Sequence, residues 1–74
     1  MQPTHDQHND FLAHRPITGV KFEHDDPVKV TGGKHVGDSG AIISVEDIDT
    51  DPVYLVELSS GRDALIPQSF LAPV

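Results

Sequence analysis

The sequence predicts an all-β domain, a small barrel of five or six short strands preceded by a flexible N-terminal tail. Three observations carry this. Apolar residues are sparse in the first 26 positions, with 7, and concentrated in the following 48, with 20. From Val28 onward they alternate with polar residues at the two-residue period of a half-buried strand. Gly, Pro, Asp and Ser clusters interrupt that alternation at short intervals, as tight turns require.

Positions 1–16 form the expected tail. His5, Asp6, Gln7, His8, Asn9 and Asp10 follow one another with no sustained period, and Pro16 closes the segment. Phe11-Leu12-Ala13 is its only apolar cluster, enough for one helical turn capped by Asn9 or Asp10 but too short for an isolated helix. Any order there must come from tertiary packing.

The barrel is expected over 17–74. Ile17, Val20 and Phe22 lead to a turn at Asp25-Asp26-Pro27, and Val28 and Val30 then alternate with Lys29 and Thr31 up to Gly32-Gly33. Ile42 and Val45 are three apart, which breaks the strand period. A bulge near Ile43-Ser44 returns both to one face. Asp47 to Pro52 makes a polar turn into Val53–Leu58, the strongest strand, whose Tyr54, Val56 and Leu58 share a face. Ser59-Ser60-Gly61-Arg62 reads as a hairpin into Asp63–Ile66, and Pro67-Gln68-Ser69 as a single 3₁₀ turn before Phe70 and Leu71. Val28, Val30, Ile42, Val45, Tyr54, Val56, Leu58, Ile66 and Leu71 are the expected common core. Tyr54, Phe22 and Phe70 are also expected inside. Curling so short a sheet into a barrel buries one face of every strand.

Charge and size bound the chemistry. Five Lys or Arg stand against 12 Asp or Glu, a net charge of −7. Such a molecule is not attracted to nucleic acid or anionic lipid at large. A chain of 74 residues buries roughly 60% of its unfolded surface, which leaves no room for a deep catalytic cleft, so no enzyme is expected. No Cys is present, so disulfides and thiolate zinc sites are excluded and a reducing cytoplasm is the expected compartment. The opening residues lack a secretory pattern and no apolar run reaches a bilayer's thickness.

Several short motifs have ordinary explanations. Gly37-Asp38-Ser39-Gly40 is like the segment around a serine-protease nucleophile, but that chemistry needs a base, an orienting carboxylate and an oxyanion hole on a larger scaffold. Asp47, Asp49 and Asp51 have the spacing that opens a calcium loop, yet Pro52 stands where glycine is required and Leu58 where the bidentate glutamate belongs. His5, Asp6, His8, Asp10 and His14 match no metal-site spacing. No cofactor or metal is expected. One Tyr, three Phe and no Trp are too few for an aromatic cage or a proline-peptide groove.

Between Val28 and Val45 the chain reads V-K-V-T-G-G-K-H-V-G-D-S-G-A-I-I-S-V. This resembles the KOW motif, through Val28, Val30, Gly33, Gly37, Gly40, Ile42 and Val45. The resemblance implies an SH3-like barrel, with Gly33, Gly37 and Gly40 serving loop geometry, and a binding role toward RNA or protein. The family's loop lysine is replaced here by Val36, and Asp38 and Ala41 stand where basic residues flank it. Over 27–74 only Lys29, Lys34 and Arg62 oppose seven carboxylates. The expected function is therefore a monomeric, non-enzymatic module that docks a protein partner, of basic character, through the Gly33–Gly40 loop and the Ser59–Arg62 hairpin. An RNA- or ribosome-associated factor is the alternative, and an accessory piece of a larger enzyme complex the third reading. Lys29, Lys34, His35 and Arg62 are the candidate contact residues for protein or RNA.

Overall fold

The computed structural model describes residues 1–74. Helix α1 (His5–Leu12) precedes five strands, β1 (Pro27–Val30), β2 (Ser39–Asp47), β3 (Val53–Leu58), β4 (Asp63–Pro67) and β5 (Leu71–Pro73), with a 3₁₀ turn at Gln68–Phe70 between the last two. All pairings are antiparallel, and the strands form one sheet in the order β4-β3-β2-β1-β5. No helix is long and apolar enough to cross a membrane.

The core contains every residue the alternation predicts. Val28, Val30, Ile42, Val45, Tyr54, Val56, Leu58, Ile66 and Leu71 are all buried in a single cluster. The anticipated bulge is present: Ile42 pairs with Val56 but Ser44 with Leu55, leaving Ile43 as the extra residue, and a second irregularity lies between Val45 and Asp47. The bulges let the long β2 bend over the core while keeping Ile42 and Val45 on its inner side.

Four expectations are corrected. Residues 1–16, read as a flexible tail, contain α1, and Phe11 is buried in the core at 3% exposure. The helix starts earlier than Asn9 or Asp10, at a capping box in which Thr4 Oγ1 accepts from the Gln7 N–H at 3.2 Å and Gln7 Oε1 accepts from the Thr4 N–H at 2.8 Å. It ends in paired bonds from Arg15 N–H to Asp10 O and from His14 N–H to Phe11 O, with His14 at φ 60°. This is the left-handed stop that commonly precedes a proline, here Pro16. Second, the barrel expected from residue 17 onward, with its strand pattern, opens without a strand: Ile17 and Val20 make only an isolated bridge. Third, the sheet does not close: β4 and β5 are its two edges, joined by the 3₁₀ turn and by no ladder. Fourth, Phe70 lies outside the core, 40% exposed.

Gln68 fastens these parts together. Its Oε1 accepts from the Tyr54 hydroxyl and from the Lys21 N–H at 2.9 Å, its Nε2 donates to Gly19 O at 3.2 Å, and its N–H donates to Pro52 O at 2.7 Å. One side chain thus supplies the buried Tyr54 hydroxyl with a partner and holds the 17–22 segment over the sheet. Phe22 and Phe11 pack against the Tyr54 ring at centroid distances of 5.6 and 6.3 Å. Burial raises the Tyr54 phenol above its ordinary value.

Candidate partner-binding groove

The loop between β1 and β2 is built by its glycines and closed by Val30. Val30 O accepts from the Gly37 N–H at 3.0 Å and the Val30 N–H donates to Asp38 O at 2.8 Å. Gly33 and Gly37 adopt φ values of 77° and 91°, which side chains with a Cβ rarely take. Gly40 has a different reason. Its φ is not left-handed, but it sits where β2 meets β3, and a Cβ there would run into the Glu57 carbonyl oxygen and lie 3.1 Å from Leu58 Cα.

This loop is bonded to the β3–β4 hairpin, the neighbour expected to share its role. Asp38 Oδ1 accepts from the Ser59 hydroxyl at 2.6 Å and from the Ser39 N–H at 2.8 Å, while the Ser59 N–H donates to Ser39 O at 2.8 Å. Hydrogen bonds from Ser59, the Ser39 backbone and Ser60 hold the Asp38 carboxyl below its ordinary value. The acidic residue in the motif loop is thus a structural tie between two turns.

A groove of about 140 Å³ opens beside the loop, between it, β4 and the 3₁₀ turn. It is lined by the buried Val30 and Ile66, by Gly32, Gly33 and Phe70, by Leu65 and Pro67, and by Lys34 and His35. The Phe70 ring lies against the Gly32-Gly33 backbone, so closely that a Cβ at Gly32 would meet Phe70 Cδ1 at 2.9 Å. The Thr31 N–H donates to Phe70 O at 2.8 Å, which fixes the ring's backbone to the loop. Leu65 is 63% exposed, so the groove presents apolar surface to solvent.

Of the candidate contact residues, Lys34 and His35 line the groove. Lys29 lies on the exposed face of β1, and Arg62 occupies the β3–β4 turn, where its carbonyl accepts from the Leu58 N–H at 2.8 Å. Neither lines the groove. Lys29, Lys34 and Arg62 form no ion pair. Sequence reasoning missed Gly32, Leu65 and Phe70 as groove residues. Leu65 was legible, because its neighbour Ile66 belongs to the inner face and parity puts Leu65 outside.

The other charged clusters are structural. The three carboxylates of the Asp47-to-Asp51 run are each engaged locally: Asp47 bonds the Met1 amino group, Asp49 lies 3.8 Å from that same amino group and accepts from the Thr50 N–H at 2.9 Å, and Asp51 accepts from the Ser69 N–H and hydroxyl at 2.9 and 2.6 Å. His14 Nδ1 lies 2.6 Å from Glu23 Oε2, and His24 Nδ1 2.7 Å from Ile43 O. No group of three or more His, Asp or Glu side chains is arranged to hold a metal ion. No protein-family model, curated protein or solved structure matches the chain.

Proposed function

We propose that this chain is a non-enzymatic binding module, a cytoplasmic monomer of the SH3-like, KOW type, that docks a protein partner at the motif loop and the adjoining hairpin. The observation that carries the reading is the groove itself, where Leu65 of β4 and Phe70 of the 3₁₀ turn are offered to solvent beside a loop anchored by backbone bonds. Binding surfaces are commonly built on loops held by a rigid scaffold. The return of β5 to pair with β1 after a 3₁₀ turn supports the SH3-like assignment, although the ladder between β4 and β5 that would complete a barrel is missing. The net charge of −7 favours a basic partner, because like-charge encounter is slow and costly.

RNA binding is the second reading, favoured by Lys34 and His35 standing together on the groove, neither of them in an ion pair. Few phosphates are neutralised by so few cations, so RNA affinity near physiological salt is expected at a Kd on the order of 10⁻⁴ M or weaker. Changing Lys34 and His35 together to Glu separates the two. Association with a basic protein holds or strengthens, whereas RNA binding collapses. Micromolar RNA affinity at physiological salt that vanishes in this double variant would reverse the order of the two readings.

A further inference from the structure

The strand order leaves β4 with one unpaired edge, and this edge borders the groove. Which backbone groups it offers follows from the ladder. The Leu58 N–H donates to Arg62 O at 2.8 Å and Leu58 O accepts from the Gly61 N–H at 2.9 Å, a hairpin closed through a glycine bulge, so the backbone groups of Leu58 face β4. Facing pairs then alternate along an antiparallel ladder, giving Glu57–Asp63 and Leu55–Leu65 as non-hydrogen-bonded pairs and Val56–Ala64 as a bonded one. The N–H and C=O of Asp63 and Leu65 therefore point away from β3. No loop, cap or side chain takes them up. Free edges of this kind pair with incoming strands unless they are blocked.

Charge along the same edge is uneven. Glu57 and Asp63 face each other directly, both are exposed, and neither has an ion-pair partner. Like charges directly opposite destabilise a strand pair, and a cation between them relieves the repulsion. Leu65, two residues on, shares the outer face with Asp63. Lys34 and His35 line the groove together with Leu65, Ile66 and Pro67, so the Lys34 cation and the carboxylate pair adjoin different ends of β4.

We propose that the free edge of β4 receives an extended basic segment of a protein partner, which adds to the sheet as a strand, places a lysine or arginine at the Glu57–Asp63 pair and seats an apolar side chain in the groove beside Phe70. This rests on the binding-module reading and names the occupant and its mode. Main-chain bonds from Asp63 and Leu65 supply affinity, and alternate side chains supply specificity, as in strand addition generally.

The test titrates two blocked peptides of equal length, one of alternating lysine and valine and one of alternating glutamate and valine, into the isotope-labelled full chain. The lysine peptide is expected to shift the amides of Asp63 and Leu65 and to slow hydrogen exchange at Leu65, and the glutamate peptide to do neither. Leu65→Pro removes the outward N–H without removing a bond to β3, and should abolish the shift of the Asp63 amide, the probe that survives in this variant, while the fold persists. Should that variant unfold, Asp63→Lys serves instead: it is expected to weaken the lysine peptide by roughly three- to tenfold. Equal binding of both peptides would overturn the proposal. So would lysine-peptide shifts confined to the 33–40 loop, although the module reading would then stand. Shifts at Leu65 that grow with protein concentration alone would assign the edge to a second copy. No response to either peptide, together with no response to RNA or to any basic protein, would remove the module reading as well.

Discussion

The Ser59 hydroxyl donates to Asp38 Oδ1 at 2.6 Å, and this bond joins the turn after β3 to the glycine loop after β1. The two turns are 21 residues apart in the chain and become one surface through a single carboxylate. Because the bonds favour the ionised form, Asp38 titrates below its ordinary 3.8. Its contribution to stability is present above that value and is lost as pH falls through the lower, folded-state midpoint. Ser59→Ala should raise the Asp38 midpoint toward 3.8, read from its carboxyl carbon shift during an acid titration.

Gly40→Val should destabilise the domain by about 1–3 kcal/mol, because the added carbons meet the β3 backbone and not a yielding side chain. Gly37→Ala should cost about 1 kcal/mol for a different reason, its left-handed φ. Ser39→Ala should be near neutral, since only the Ser39 backbone is used in bonding. Urea midpoints of the three variants check the order.

Phe11→Ala should cost about 3 kcal/mol or more, the usual scale for emptying a buried aromatic site. Leu12→Ala, at a side chain left 53% exposed, should cost under about 0.5 kcal/mol. Equal effects in chemical denaturation would show that α1 does not dock as described.

Gln68→Leu should destabilise by about 1–3 kcal/mol, because it leaves the buried Tyr54 hydroxyl without its acceptor. The Tyr54 phenol is held above 10.0 in the folded chain, so its contribution is intact below that pH and disappears as pH rises through the folded midpoint. Tyr54→Phe should remove this alkaline loss. Thermal melts across the alkaline range, wild type against variant, measure it.

The glycine loop and the alternation were legible in the sequence because both are local. Gly33 and Gly37 have left-handed φ in the loop that the motif resemblance singles out, while at Gly40 the reason is the close approach of Glu57, a contact between strands. At the site, Lys34 and His35 could be named in advance. That Lys29 and Arg62 lie elsewhere could not, since their positions depend on how the sheet bends.

By itself the sequence determined which face of each strand is buried, because a two-residue period assigns every side chain once the apolar set is known, and the three-residue step from Ile42 to Val45 demanded a bulge. Only the tertiary structure decided the fate of Phe11, Phe70 and the sheet's edges. Phe11 finds its seat against Tyr54, 43 positions away, and the energy that orders α1 comes from that contact, not from helix propensity. Phe70 faces outward because Gly32 and Gly33 leave a flat backbone for its ring to lie on, and β4 keeps an open edge because the chain returns to β1 instead.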